Sequence, residues 1–331
     1  MSLKGNIYKI YTAACSPIRF AGNLIDTPAV ILIYHRVAFL ENDPQLLAVK
    51  PDNFYRQVEW LKNKYNIITL EELGNHLKNG RIPKKSVVIT FDDGYADNYL
   101  EALPVLEALS ADATFFITTN SIGSEREFWW DDLERVFLND VILPPSLLLE
   151  ISGKTYQFDT STPASKLKTY NKLHPILKFR KSVDRDDLIR IILDWSGLSY
   201  KSRQTHRPMT IKELSKLSKS EYTTIGAHTQ SHTPLSILSK DEQQHEIIKS
   251  KMQLEEWTNT QIKHFSYPFG SIKDYDKNSV AICEEEGFCT ACSNFYSQVH
   301  SWSNRYELPR CLIRDWNFEF FKNQINKFFR Y

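Results

Sequence analysis

The sequence predicts an α/β fold in which a parallel sheet curls into a barrel and helices cover it. Short β-branched runs alternate with amphipathic stretches along most of the chain, and repeated β–α units of this kind bury a parallel sheet beneath helices. The residues with catalytic chemistry also follow strands: His35 the first, Asp92 and Asp93 the third, and His228 a later one. A (β/α) barrel carries its site at the C-terminal ends of its strands, so this placement favours a barrel.

The predicted strands are short apolar runs bounded by polar or turn residues. Ala29–Tyr34 and Ser86–Phe91 are apolar nearly throughout, which is typical of strands buried on both faces. The other predicted strands are 67–69, 113–118, 222–226, 264–267, 288–292 and 308–313.

Amphipathic segments of helical period fill the gaps between these strands. Asp52 is placed to cap the first helix, which carries Phe54, Val58 and Leu61 on one face. Further helices are predicted at 70–78, 98–109, 240–257, 276–286 and 318–329.

The segment 127–210 interrupts the alternation, and we expect it to be an α+β insertion with a candidate role as a lid. It contains a predicted hairpin over 147–158 and two predicted helices, 164–179 and 184–194. The mixed charges between residues 178 and 190 are typical of a solvated helix face.

Residues 29–126 and 211–331 would then form the barrel, and residues 1–28 a helical extension. The extension is mildly amphipathic and lacks the apolar core of a signal peptide. A helix packed on the domain is favoured over a membrane-surface anchor. The sequence contains no run of 18 apolar residues, so no transmembrane helix is predicted. Peripheral contact with a membrane stays open.

Composition narrows the class of protein. The 331 residues include 41 basic and 40 acidic side chains, a balance that argues against a nucleic-acid binder working by electrostatic attraction. The odd count of five cysteines predicts free thiols and favours the cytoplasm. Cys289 and Cys292 have the spacing of half a zinc knuckle, but buried core cysteines are the favoured interpretation. The oligomeric state stays open.

Two short motifs offer the parts of one metal site. Residues 90–94, Thr-Phe-Asp-Asp-Gly, place two carboxylates after a strand, and residues 228–232, His-Thr-Gln-Ser-His, place two imidazoles four residues apart. On a helical turn that spacing shares a face. One carboxylate and two histidines leave an open position for water, and a second carboxylate stays free. Each motif alone is also consistent with a solvated turn or with surface histidines.

With a third block at 265–270, Phe-Ser-Tyr-Pro-Phe-Gly, the chain resembles the NodB-type polysaccharide deacetylases over about 30–118 and 222–313. The resemblance implies a deformed (β/α) barrel of the NodB-homology type with about seven strands. It also implies that Asp92 is the general base, and it gives the ligands of one divalent metal as Asp93, His228 and His232. Zn²⁺ suits these ligands best, and Co²⁺, Ni²⁺, Mn²⁺ or Fe²⁺ are compatible.

The amine that leaves on amide cleavage needs a proton, which an imidazolium can supply. Many family members carry this histidine near the C-terminus, where no such block is visible here. The chain instead resembles the permuted poly-N-acetylglucosamine deacetylase subgroup, which implies that His35 is the acid. A core histidine bonded to backbone is the alternative interpretation of His35, and His300 is the fallback acid.

The resemblance also implies that the Phe269 N–H stabilises the oxyanion and that its ring lines the acetyl pocket. An arginine that orients the base in many members is missing before Pro268, and Arg310 is a candidate substitute. Trp129 and Trp130 either line the sugar site or anchor a helix in the core. Tyr95, Tyr267 and Pro268 adjoin the motifs and are further candidate substrate-binding residues.

We therefore expect a metal-dependent hydrolase that removes the N-acetyl group from an amino sugar in a polysaccharide or glycan precursor and releases acetate. The same site could instead act on an O-acetyl ester, an N-formyl sugar or another amide. A non-catalytic glycan-binding relative is the alternative from a different class, and the intact set of four metal-site and base residues argues against it.

Overall fold

The structure is a computed structural model that describes residues 22–23 and 25–329, so most of the extension predicted for residues 1–28 lies outside it. The described strands are β1 (Ala29–Tyr34), β2 (Arg36–Val37), β3 (Ala48–Val49), β4 (Asn66–Ile67), β5 (Ser86–Phe91), β6 (Ala113–Ile117), β7 (Ser146–Ile151), β8 (Lys154–Asp159), β9 (Thr223–Ala227), β10 (His264–Ser266), β11 (Thr290–Cys292) and β12 (Cys311–Leu312).

The core of the fold is a curled parallel sheet with the strand order β11-β10-β9-β6-β5-β1-β12, and β4 pairs with the start of β5. Leu308, just ahead of β12, exchanges backbone hydrogen bonds of 2.9 Å with Ala291 and Ser293 on the far edge. One segment therefore contacts both edges of the sheet. The prediction of a deformed barrel with about seven strands is confirmed for the described part of the chain.

Burial explains why β1 and β5 form where the apolar runs predict them. All six residues of each strand are buried, because helices cover one face of the sheet and the other face packs inside the barrel. The described helices are α1 (Pro51–Lys64), α2 (Leu70–Lys78), α3 (Leu103–Leu109), α4 (Trp129–Phe137), α5 (Pro163–Lys178), α6 (Ser182–Ser196), α7 (Ile211–Leu217), α8 (Lys240–Thr258), α9 (Lys277–Glu285) and α10 (Phe318–Phe328). Among these helices, none has the length and apolar character to cross a bilayer.

Two local details differ from the predictions, one at the start of α1 and one at the end of β4. Asp52 does not cap α1, which begins at Pro51 with Lys50 as N-cap, because proline suits the first helical position. Thr69 was expected to end a strand, but β4 ends at Ile67 and Thr69 caps α2. Its hydroxyl accepts a 3.1 Å bond from the Glu72 N–H, and the Glu72 carboxylate accepts a 2.8 Å bond from the Thr69 N–H.

The segment 127–210 contains the β7–β8 hairpin together with α4, α5 and α6, which bury a separate apolar cluster around Leu133, Leu173 and Ile189. The expectation of a solvated face between residues 178 and 190 is wrong at two positions. The Lys178 side chain is 18% exposed and that of Arg185 only 4%, because both reach toward the barrel.

The described cysteines form no disulfide, as predicted. Cys283, Cys292 and Cys311 are buried and Cys289 is half-buried, while Cys15 lies outside the described residues. Burial raises the pKa of the Cys283 and Cys292 thiols to about 12, which keeps both protonated and unreactive.

Candidate active site

A cavity of about 200 Å³ opens at the C-terminal ends of the strands. Asp92 and Asp93 reach it directly after β5, His228 directly after β9 and His35 directly after β1. The barrel therefore brings together residues that are far apart in the sequence. The other lining residues are Ile33, Gln45, Leu47, Trp130, His232, Phe269, Asn294 and Leu312.

Asp93, His228 and His232 form a compact cluster of potential metal ligands. Their ligand atoms lie within 4.8 Å of one another, and all three residues are buried. Asp93 Oδ1 lies 3.7 Å from His228 Nε2 and 3.2 Å from His232 Nε2, yet it accepts no hydrogen bond. A buried carboxylate oxygen without a donor is costly unless a cation binds it, so these residues fit a divalent metal.

Electrostatics also suit the cluster to a metal. Burial lowers the pKa of His228 to about 4 and that of His232 to about 3, so both imidazoles are neutral near pH 7. Neutral imidazole is the form that coordinates metal. The Ser266 carbonyl lies 2.7 Å from His228 Nδ1, which orients the ring so that Nε2 faces Asp93.

The two histidines are not on a helical turn, as the spacing suggested, but in a loop after β9. The loop turns through left-handed backbone at Thr229 (φ 61°) and His232 (φ 53°), and Asp93 (φ 77°) and Phe269 (φ 59°) share that conformation. Left-handed backbone costs a non-glycine residue about 1–2 kcal/mol. Such strain clusters at functional sites, where the surrounding structure enforces it.

Glu246 on α8 holds the strained loop. Its carboxylate accepts 2.9 Å bonds from the Gln230 and Ser231 N–H groups, and the Thr229 carbonyl accepts a bond of 3.2 Å from the Thr119 N–H. Charge-assisted bonds to two successive amides fix the path of the chain between the histidines. No motif in the sequence indicates this role for Glu246, which lies 14 residues beyond His232.

Asp92 forms a buried ion pair with Arg310. Two guanidinium nitrogens lie 2.7 Å from the two carboxylate oxygens, and the Ser266 hydroxyl donates a 3.2 Å bond to the same carboxylate. Burial alone would raise the pKa of Asp92, but the charge and hydrogen bonds of Arg310, together with His228 and His35, outweigh burial and hold that pKa well below its usual range. Asp92 is therefore ionised, and Arg310 contacts both of its carboxylate oxygens.

His35 lines the cavity with its Nδ1 buried and unpaired within the described part of the chain. Its carbonyl accepts a 2.8 Å bond from the Asn98 side chain, which fixes its backbone. Burial lowers the pKa of His35, and the charges of Asp93 and Asp92 oppose that shift. His300 is absent from the cavity lining and stacks on Trp302 at 4.6 Å.

Two aromatic rings pack against His232 from the cavity side. The Trp130 ring lies 4.8 Å from the imidazole and the Phe269 ring 4.6 Å from it. The Trp130 indole donates a 2.7 Å bond to the Tyr95 hydroxyl, so its orientation is fixed. In the described residues the Phe269 N–H makes no hydrogen bond to the protein, which leaves it available to a ligand.

Four of the predicted substrate-binding residues do not line this cavity. Tyr95 and Tyr267 are fully buried, and the Tyr267 hydroxyl donates a 2.9 Å bond to the Tyr306 carbonyl in the core. Pro268 is also buried, and Trp129 lines a neighbouring cavity instead. Tyr95, Tyr267 and Pro268 were predicted because they adjoin the motifs, but none of them contributes to the lining of the cavity.

Comparisons with known proteins agree with this fold. The profile of the polysaccharide deacetylase family matches residues 79–145 and 201–290, on either side of the hairpin, α5 and α6. The provisionally named polysaccharide deacetylase YxkH of Bacillus subtilis is 31% identical over 147 residues, or 43% of this chain and 51% of that protein. The poly-β-1,6-N-acetyl-D-glucosamine N-deacetylase of Staphylococcus aureus is 34% identical over 113 residues, or 30% of this chain and 39% of that protein.

The chain thus spans about half the length, or less, of the curated relatives that it matches. Among solved structures, the Streptococcus pyogenes deacetylase PplD superposes with a TM-score of 0.60 at 18% identity, covering 92% of this chain and 99% of that one. IcaB from Ammonifex degensii gives 0.59 at 16% identity, covering 92% and 97%. The chain is thus similar to the polysaccharide deacetylase family over the matched residues, and its fold is that of the NodB-type deacetylases.

Proposed function

We propose that this protein is a metal-dependent N-deacetylase that hydrolyses the acetamido group of an amino sugar in a polysaccharide or glycan precursor. The observation that carries the proposal is the separation of tasks between two adjacent carboxylates. Asp93 faces two neutral histidines without a hydrogen-bond donor, while Asp92 is held ionised by Arg310. A protein that only bound glycans would need no ionised carboxylate, beyond the ligands themselves, beside a metal site.

Asp93, His228 and His232 would hold the ion. When bound, the ion supplies Lewis-acid polarisation of a carbonyl oxygen and acidifies a water molecule. Asp92 then accepts the proton of the attacking water, because Arg310 keeps it ionised at neutral pH. Zn²⁺ is the proposed ion, since two imidazoles and one carboxylate are ligands that zinc prefers.

The remaining steps use other groups that line the cavity. The Phe269 N–H donates to the oxyanion of the tetrahedral intermediate, and Trp130 and Phe269 enclose the acetyl methyl. His35 gives its proton to the departing amine, which yields acetate and a free amino sugar. Similarity to the Staphylococcus aureus protein, which is named a poly-N-acetylglucosamine deacetylase, supports the proposal of an amino-sugar substrate.

The first test measures metal content together with acetate release from N-acetylglucosamine oligomers, before and after chelation. We expect about one metal per chain and acetate release that chelation abolishes and Zn²⁺ restores, because the cluster offers three ligands for one ion. Metal without acetate release would point to another acyl group on the same site. Failure to bind metal after reconstitution would overturn the proposal.

His35→Gln tests the acid. We expect kcat to fall about 100-fold or more, because glutamine cannot donate a proton to the amine. Wild-type kcat should fall as the pH rises through the pKa of His35. The variant should lack this decrease in kcat. His300→Gln is the control, since His300 stacks on Trp302 outside the cavity. Loss of activity in the His300 variant alone would transfer the acid role to that residue.

A further inference from the structure

A second cavity of about 320 Å³ lies beside the active site and shares a wall with it. Trp130 and His232 line both cavities, so a ligand in one would lie directly beside a ligand in the other. The rest of its lining includes the start of α6 and the segment that leads into α4, outside the strands that carry the catalytic groups. The family profile also leaves residues 146–200, which include α6, unmatched.

A buried arginine dominates this second cavity. Arg185 on α6 is 3% exposed, and its Nη2 donates a 2.8 Å bond to the Ser231 carbonyl. Within the described residues its Nε and Nη1 are buried without a hydrogen-bond partner, and the nearest carboxylate oxygen, on Asp186, lies 3.7 Å from Nε. Burial lowers the pKa of Arg185, as expected for a cation whose lost hydration is not replaced. A buried cation with incomplete pairing is destabilised, and a bound anion would stabilise it.

Two helix N-termini lie at the same cavity. The first turns of α4 and α6 both line it, through Trp129 and Val183 among others. Neither N-cap residue, Phe128 or Lys181, accepts a side-chain hydrogen bond from its helix. Uncapped first-turn N–H groups, together with the positive end of the helix dipole, favour bound anions.

The cavity lining carries two arginines, Arg126 and Arg185, and two carboxylates, Glu127 and Asp186, so its formal charges balance, and the charge left for a ligand depends on which of these groups are already paired. Arg126 also lines it, and its side chain has no ion pair within the described residues. The one buried carboxylate in the lining, Glu127, is already bound by Arg203 at 2.7 Å and lies 3.5 Å from Arg135. The Asp186 side chain is 50% exposed, so solvent screens much of its charge.

We propose that this cavity is an anion subsite and that the substrate is an amino sugar carrying a phosphate or carboxylate close to its acetamido group. The inference rests on the proposed function. While the acetamido group occupies the cavity at Asp93, the anionic group binds Arg185 and the first turns of α4 and α6. The site thereby selects for an acidic glycan or a glycosyl phosphate over a neutral polymer.

The test compares kcat/KM for acetate release from three substrates: the neutral methyl glycoside of N-acetylglucosamine, N-acetylglucosamine 1-phosphate, and a glucuronyl-N-acetylglucosamine disaccharide. We expect the wild type to prefer a charged substrate about 10- to 100-fold, the range for one charge-assisted hydrogen bond. Arg185→Gln should reduce that preference to near one. Whichever charged substrate shows the preference identifies phosphate or carboxylate as the anion.

Arg190→Gln is the matched control, because Arg190 lies on the same helix but is exposed and paired with Asp187 at 2.6 Å. Its charge preference should equal that of the wild type. Equal kcat/KM values on all three substrates, or a preference that survives Arg185→Gln, would overturn the inference. So would an equal loss on neutral and charged substrates, since Arg185 would then act only through its bond to the Ser231 carbonyl.

A binding measurement separates this inference from the proposed function. Calorimetric titration with inorganic phosphate should show binding to the wild type and at least about 10-fold weaker binding to Arg185→Gln. If no substrate releases acetate but phosphate binding depends on Arg185, the deacetylase proposal fails and the anion subsite stands. If phosphate does not bind, or binds both proteins equally, the subsite is wrong whether or not acetate is released.

Discussion

Asp92→Asn is expected to lower kcat by about 100- to 10,000-fold, the range that general base catalysis contributes. Asparagine has the shape of aspartate but cannot accept the water proton. The carboxamide oxygen of asparagine can still accept a bond from Arg310. The Arg310 Nε also remains bonded to the Ser293 carbonyl at 2.9 Å, so the local structure should persist. Steady-state acetate release and metal analysis on the same preparation provide the measurement.

Metal content distinguishes the base from a ligand. We expect Asp92→Asn to retain about as much metal as the wild type, because Asp93 rather than Asp92 belongs to the ligand cluster. Asp276→Asn is the control for the substitution itself, since Asp276 caps α9 outside the cavity and asparagine is an equally good N-cap. Full activity in Asp92→Asn would refute the assigned base, and joint loss of metal and activity would make Asp92 a ligand.

The sequence predicted the fold well where burial on both faces leaves few alternatives. The bounds of β1 and β5 follow the apolar runs because every residue in them is buried. Predictions failed where local hydrogen bonds decide the structure. Thr69 has the β-branched shape of a strand residue, but its hydroxyl and the Glu72 carboxylate make it a helix cap.

The same division applies to the candidate site. Asp92, Asp93, His35 and His228 could be predicted because they directly follow strands, and parallel strands end at one edge of a sheet. Nothing in the residue type signals the left-handed backbone at His232, since glycine usually marks that conformation.

Long-range packing accounts for what the sequence did not reveal. Arg185 is one charge among many on an amphipathic helix, and only the contact between that helix and the loop at Ser231 makes it buried. Ser266 is similar, because its hydroxyl reaches Asp92 across 174 positions of the chain. Periodicity along one segment cannot show which neighbour will cover it, so both residues were missed.

His228→Ala is expected to lose the metal as well as the activity. Loss of an outer-shell partner typically weakens metal binding about 10- to 100-fold. Removing one of the three ligands should weaken it by more than that. Metal analysis after dialysis is the first measurement. Zn²⁺ at about 100 times its Kd should stabilise the wild type by about 2.7 kcal/mol, and this gain should vanish in the variant, as thermal unfolding would show.

His264→Ala controls for the loss of a buried imidazole. Burial lowers the pKa of both His228 and His264 to about 4, but His264 bonds Thr290 Oγ1 at 2.8 Å and lies outside the cavity lining. Its metal content should match the wild type even if its unfolding temperature falls.

The pH dependence of metal binding supplies an independent check on the ligands. Protons compete with the ion for the two histidines, whose pKa values are about 4 and about 3, and for Asp93, whose pKa burial raises. Wild-type affinity should therefore be nearly constant from pH 8 to pH 6 and fall as the pH approaches 4. A loss centred near the ordinary histidine pKa of about 6.5 would instead mean that solvent-exposed imidazoles, not this buried pair, bind the metal.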